Sequence, residues 1–301
     1  MVVAEPNWPI VFHHRLAFNN HANHPYIILS KSDRYARQEL IKEYQEINKC
    51  RLAVIYDALV NYSINLFEEL VYVADANKDL HVLLTTSGED GEIALRQVRS
   101  AHARCKELTV IVPDRANSGG TIFTIGADHI LMGPTSDLGP VDPQLVIDVV
   151  TRQIIPAKEV IATVEAAEKA VQKNPETFPI HASPLANVNA LMVQQAKSAL
   201  ARSGDLVKGA FTSVRSRSKS EVNSLIKKLQ KPLIDASKSH DTVFSADAAI
   251  RVELPVEKIN SNDARSKLLR RLWMKYFVGN ERIFEGTNSS KVAGPWISES
   301  Q

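Results

Sequence analysis

The amino-acid sequence predicts an α/β fold around a parallel sheet, and three observations lead there. Short apolar runs rich in β-branched residues recur at 52–57 (LAVIYD), 81–86 (HVLLTT) and 108–112 (LTVIV), the second and third followed by turn residues. Runs of that kind read as strands buried on both faces, the condition of a parallel sheet. Stretches with helical spacing, 65–79 and 92–104, separate them. Strand, helix, strand, helix, strand with short joints is the signature of right-handed βαβ units.

The chain has 301 residues, 44% hydrophobic and 23% charged, with a net charge of +2. That length buries a full core, and the composition is ordinary for a globular protein. So small a charge gives no argument for nucleic acid. Cys50 and Cys105 lack metal-ligand spacing and are too few for a secreted disulfide scaffold. No apolar run approaches the length of a membrane span, and the opening residues lack a basic-then-apolar signal. The expectation is a cytoplasmic protein without a membrane span.

Residues 1–30 read as an irregular arm. It contains His13, His14 and His24, but no carboxylate or cysteine has matching spacing, so no metal is assigned. A helix is expected at 32–49, capped by Ser32 or Asp33. Within 65–79 the buried face should hold Leu66, Leu70, Val73 and Ala74. Residues 128–132 should form the next strand, running into the Pro- and Gly-rich 133–143 loop.

Beyond Gln144 the pattern becomes helical: 156–173, 190–203 and 262–278, with a loop at 174–189. The basic segment 214–231, with Arg215, Arg217, Lys219, Lys227, Lys228 and Lys231, reads as a solvated helix face rather than an anionic-partner site. The domain reading is an arm at 1–30, one core domain at 31–260, and a helix with a tail at 261–301.

The stretch from Leu108 to Leu145 organises the chain. A serine, Ser118, sits where a buried strand turns into a helix, followed by Gly119 and Gly120. Helix N-termini offer unpaired N–H groups, and glycine lets a substrate approach the backbone. Three words carry a resemblance: Ala116-Asn117-Ser118-Gly119-Gly120-Thr121, Gly126-Ala127-Asp128-His129-Ile130-Leu131-Met132-Gly133, and Ser136-Asp137-Leu138-Gly139-Pro140-Val141-Asp142-Pro143-Gln144. Together they resemble the serine dehydrogenase proteinase family, a branch of the signal-peptide-peptidase-like group of the ClpP/crotonase superfamily. The resemblance implies a ClpP/crotonase-like spiral of β-β-α units with helical C-terminal additions. It also implies a serine peptidase-like hydrolase acting by acyl transfer on a peptide or protein substrate, commonly as a homo-oligomer.

Serine hydrolysis needs an activated hydroxyl, a base, and donors for the developing oxyanion. The resemblance implies that Ser118 is the nucleophile. It places the oxyanion donors on the backbone at Gly119 and in the turn holding Gly88 and Glu89. Relatives carry paired glycines in that turn, and here one has become Glu89. Either glutamate is strained by a positive φ there, or it points to solvent and only its backbone matters.

The base stays open. ClpP uses a Ser-His-Asp triad, whereas signal-peptide-peptidase relatives use serine and lysine. Lys158, 40 residues after Ser118, is the leading candidate, and Lys169, 51 residues after it, is the second. His129 reads as a packed or edge histidine, His181 lies in the expected loop, and His240 belongs to the closing segment. Asp142 is assigned to a turn.

No cofactor is expected: there is no recognisable pyridoxal-phosphate lysine motif and no dinucleotide fingerprint. The alternative to a peptidase is a catalytically inactive oligomeric scaffold on the same fold, for which Glu89 is the argument. A crotonase-like acyl-CoA enzyme stands third.

Overall fold

A computed structural model describes residues 31–72, 75–148, 153–182, 185, 188–235, 243–260, 262–279 and 283–286. The expected N-terminal arm and His240 lie outside these residues.

In chain order, α1 (Lys31–Asn48) leads into β1 (Arg51–Tyr56), α2 (Asn61–Tyr72), β2 (Leu80–Thr85) and α3 (Gly91–Ala103). Then follow β3 (Leu108–Val112), β4 (Arg115–Ala116), α4 (Gly119–Ile125), β5 (His129–Met132) and β6 (Asp137–Leu138). A hairpin of β7 (Gln144–Asp148) and β8 (Gln153–Pro156) precedes α5 (Ala157–Lys173), α6 (Phe178–Ala182), α7 (Ala190–Ser213) and α8 (Lys219–Gln230). The last elements are β9 (Phe244–Ser245), α9 (Ala246–Arg251), β10 (Val256–Lys258), α10 (Ala264–Gly279) and β11 (Ile283–Gly286).

The main sheet runs β10-β5-β3-β2-β1-β11, parallel except for β11, which is antiparallel to β1. Successive residues of a strand point to opposite faces. Ala53, Ile55, Val82, Leu84, Val110, Val112, Ile130 and Met132 therefore join the larger core with α2, α3, α4, α7, α8 and α9. Leu52, Val54, Leu83, Ile111 and Leu131 face the other way, onto Ile41 and Tyr44 of α1 and Leu268, Leu269 and Leu272 of α10. Both faces are covered, which is why the strand sequences are continuously apolar.

A second, smaller sheet, β4-β6-β9, is extended by a bridge from Thr86 to Ala116. The β3, β4, α4 pass thus runs main sheet, small sheet, helix. That is the expected β-β-α spiral. Among the described residues no helix is long and apolar enough to cross a membrane.

Several expected elements are corrected. The 65–79 helix is α2, which begins four residues earlier and buries Ser63, Phe67, Leu70 and Val71. Leu66 only packs against that core's edge, and Val73 and Ala74 lie outside the described residues. The polar Asp75–Lys78 segment forms a turn, with Asp75 accepting from Asn77, and cannot extend the helix. The region after Gln144 is not helical at once but forms the β7–β8 hairpin. The 190–203 helix continues to Ser213, and the 174–189 loop contains a 3-10 turn at Pro175–Thr177 and α6. β11 was not anticipated.

Two buried polar groups meet where β2 packs under α1. The Tyr44 hydroxyl lies 2.7 Å from His81 Nδ1. Burial pushes the Tyr44 hydroxyl well above its usual range, so it keeps its proton and donates to a neutral ring. Burial first, then Arg265 and His129, lowers His81 from 6.5 to about 4. Between those values the unfolded chain binds more protons than the folded one, so stability is full above 6.5 and is lost as pH falls toward 4. Denaturant titrations from pH 7 to pH 4 should show this as a loss of up to about 3 kcal/mol. His81→Gln should flatten that part of the profile.

Candidate active site

The site is built at the carboxyl end of the parallel strands, where two consecutive strand-to-helix turns are zipped together. Beyond β2, Thr86 N donates to Arg115 O at 3.1 Å, and Asn117 N donates to Thr86 O at 3.1 Å. This short ladder aligns the Thr86–Asp90 turn with the Asn117–Gly119 turn. Thr121 Oγ1 closes the second turn from behind, reaching Ala116 O at 2.9 Å and Gly139 O at 2.7 Å.

Ser118 stands ahead of the first turn of α4 with φ 46 and ψ −108, and its side chain makes no capping hydrogen bond. A non-glycine residue there is strained by about 1–3 kcal/mol. Such a sharp strand-to-helix turn lifts the serine hydroxyl away from the backbone. The serine is half-buried and the glycines after it are buried.

The facing turn comes very close. A side chain at Gly88 would place its Cβ 2.2 Å from Asn117 O and 2.8 Å from Ser118 Cβ, and Gly88 has φ +96. Only glycine meets both conditions. A Cβ on Gly119 would lie 3.0 Å from Asp90 O, so the start of α4 rests on the start of α3. Both helices begin at this point, and their first N–H groups have no partner inside the helix. In α3 the Asp90 carboxylate takes two of them, Glu92 N and Ile93 N.

Glu89 has φ 90 and an exposed side chain. Both expectations for it hold together: the backbone occupies the glycine-favouring region, and the side chain reaches outward. Its neighbours keep the turn in place, with Leu59 N donating to Gly88 O at 2.8 Å and Asp90 N donating to Leu59 O at 3.2 Å.

Lys158 lies in the first turn of α5. Its Nζ is 3.5 Å from Asp142 Oδ2, and its side chain is only 15% exposed against 0% for Asp142. A carboxylate so deeply buried requires a partner. Asp142 is therefore more than the turn residue expected. Gln144 Nε2 adds a hydrogen bond to the same oxygen at 3.3 Å. Three residues before Asp142, Gly139 packs on Asn117, and Gly139 N donates to Ala116 O at 3.2 Å. One loop thus runs from the serine turn to the lysine.

The hairpin explains how residues 142 and 158 meet. Gln144 pairs with Pro156 at its base, and Ala157 N donates to Pro143 O at 2.8 Å. Sequence reasoning missed this, although Leu145-Val146-Ile147 and Ile154-Ile155 carry the β-branched signal of two short strands.

The other candidates for a base stand apart. Lys169 is exposed and lies about 16 Å farther along α5. His129 begins β5 level with Thr109, at the end of the sheet away from Ser118, and pairs with Glu107 at 3.0 Å. His181 sits in α6.

The basic segment divides. Lys219 and Lys227 lie on the exposed face of α8, as expected. Arg217 instead donates to Ile125 O and Ala127 O, each at 2.8 Å, and stacks on Phe211, while Arg215 donates to His102 O. Arg217 thus holds the far end of α4, and Arg215 the last turn of α3.

Two substitutions test this geometry. Glu89→Gly should raise the unfolding free energy by about 1 kcal/mol in denaturant titrations, the released strain less the added freedom of the unfolded chain. Thr121→Val removes the buried hydroxyl that serves the Ala116 and Gly139 carbonyls and should cost about 1–3 kcal/mol, with Thr121→Ser close to wild type.

Residues 65–202 match the model of the ClpP-like SDH-type serine proteinase family. Two uncharacterized proteins of Methanocaldococcus jannaschii are similar. One is 32% identical over 139 residues, covering 40% of this chain and 49% of that protein. The other is 36% identical over 62 residues, covering 21% and 19%. The chain thus spans half or less of these curated relatives.

Among solved structures, a variant of the membrane-bound stomatin-specific protease 1510-N is 20% identical, covers 43% of this chain and 66% of that chain, and has a TM-score of 0.32. A variant of ClpP1 from Listeria monocytogenes is 12% identical, covers 74% and 99%, and has a TM-score of 0.39. The matched residues 65–202 hold both turns, the serine and the lysine.

Proposed function

We propose that the protein is a serine peptidase-like hydrolase that works by acyl transfer through Ser118. The observation that carries this reading is the strained elbow of Ser118, packed directly against the Gly88 turn. The hydroxyl attacks the substrate carbonyl and the C–O bond to the enzyme forms. The backbone N–H groups of Gly119 and of the Gly88-Glu89 turn receive the oxyanion. Lys158, acting as the neutral amine, takes the serine proton and passes it to the leaving amine as the C–N bond breaks, and water then releases the acyl group by the same route. Asp142 fixes where the lysine amine sits. Unfolded or short peptides are the substrates, and a cytoplasmic homo-oligomer is the working form.

Glu89 supports a second reading, an inactive scaffold on the same fold. Its carboxylate adds negative charge beside the turn that would stabilise an oxyanion.

A fluorophosphonate probe separates the two. Ser118 should be the modified residue by peptide mass spectrometry, and Ser118→Ala should abolish the adduct. Lys158→Met should slow labelling by roughly 10²–10⁴-fold, the range for a positioned base. Folded wild type that takes no label at Ser118 would sink the peptidase reading. Labelling of Lys158→Met at the wild-type rate would remove the lysine from the mechanism.

A further inference from the structure

The turn that carries Glu89 is gripped from two flanks, and the proposed chemistry uses only one of them. In the main sheet β2 stands between β1 and β3. Its turn therefore has Leu59, beyond β1, on one flank, and Asn117 and Ser118, beyond β3, on the other. On the first flank Leu59 N donates to Gly88 O at 2.8 Å, and Leu59 O accepts from Asp90 N at 3.2 Å.

That pairing decides where the amides of the turn point. Gly88 O and the Glu89 N–H belong to one planar trans peptide, so they point in opposite directions. With Gly88 O committed to Leu59, the Glu89 N–H is aimed toward the flank of Ser118. The Gly88 N–H is directed elsewhere, to Thr86 Oγ1 at 2.9 Å. Glu89 thus supplies the turn amide oriented to meet an oxyanion. The orientation needs φ 96 at Gly88 and φ 90 at Glu89, a backbone that neighbours must hold.

Leu59 is itself held by a buried carboxylate two residues earlier. Asp57 Oδ1 accepts from Ala58 N at 2.7 Å, and Oδ2 accepts from the Tyr62 hydroxyl at 2.9 Å. The two bonds fasten the loop on both sides of Leu59, one within the loop and one in the first turn of α2. From behind, Gln97 of α3 donates to Ser63 O and to Ser63 Oγ, each at 3.0 Å, and Ser63 Oγ donates to Val60 O at 2.7 Å. A carboxylate that is 6% exposed loses its hydration, and such a group persists where its hydrogen bonds fix something.

We propose that Asp57 is a positioning residue for the hydrolysis: through Leu59 it holds the Gly88-Glu89 peptide with the Glu89 N–H facing the oxyanion. The role rests on the reading of Ser118 as nucleophile. Asp57 works at one remove, by fixing a donor whose direction matters only when the oxyanion forms. Its loss therefore slows the chemical step and leaves binding of the reactant alone.

The test is the kinetics of an alkyl fluorophosphonate on the full chain, resolved into reversible affinity and maximal phosphonylation rate. In that reaction the bond from Ser118 Oγ to phosphorus forms, fluoride leaves, and the phosphoryl oxygen takes the place of the oxyanion. Asp57→Ala should lower the maximal rate by roughly tenfold or more at unchanged affinity, since removing an oxyanion donor outright costs on the order of 10²–10³. Asp57→Asn keeps an oxygen for Ala58 N and should regain most of the rate. Circular dichroism checks the fold; if Asp57→Ala does not fold, Tyr62→Phe, on the surface, takes its place and should lower the rate without changing affinity. An unchanged maximal rate in the deciding variant, or no rescue by Asp57→Asn, overturns the assignment. So does a loss of rate matched by a loss of affinity, which is what a loosened fold gives. Any of these results with wild type labelled at Ser118 defeats the role of Asp57 alone. Unlabelled wild type defeats the nucleophile reading and the role built on it.

Discussion

Everything at the candidate site depends on how closely two backbone turns approach each other. Two hydrogen bonds through Thr86 set that approach, and Gly88 against Asn117 and Ser118 marks its limit. Backbone in van der Waals contact cannot relax one turn without moving the other. The strain at Ser118 is therefore sustained by neighbours on all sides: Gly88 in front, Thr121 behind, and Gly139 beside Asn117. A serine with φ 46 in an isolated peptide would relax; here no room is left for it to do so. The parallel sheet supplies the platform, since β2 and β3 end side by side and release their turns in the same direction.

The sheet and its turns were legible in the sequence because local rules decide them. Strand β3 begins and ends where its apolar run does, and the helix after Ser118 follows the glycines that start it. Asp142 and Lys158 were harder, since their meeting depends on a hairpin that the following helical pattern obscured. A burial of 0% for the Asp142 side chain is a tertiary fact, and nothing in Gly139-Pro140-Val141-Asp142-Pro143 announces it. The basic segment was misleading for a similar reason. Arg217 carries the composition of a surface residue, yet it serves carbonyls about 90 positions earlier, and sequence distance hides such a partner. Glu89 was readable as a departure, and the structure shows what that departure costs the backbone.

The helices α5, α7 and α8 have two relations to the spiral. On one side α7 packs against α3 and α4, close enough that Gly209 abuts Leu95. On the other, Val193, Ala196 and Leu200 of α7 belong to a separate apolar cluster with Val160 of α5 and the inner face of the hairpin. The lysine-bearing helix is thus held mainly by the additions, while the serine-bearing helix is held by the spiral.

The antiparallel strand β11 bears on how the chain comes to be folded at all. It covers the β1 edge, and α10 covers the sheet face that α1 only half fills. Both partners come more than 200 residues after β1. A chain emerging from the ribosome therefore carries an open strand edge and a bare apolar face until residues 264–286 are made, and such surfaces are the ones that associate wrongly. Long-range pairing of this kind also slows folding, because loop closure precedes any gain from the contact. Synthesis order and sheet order run against each other here: one of the first strands made is among the last to be sealed.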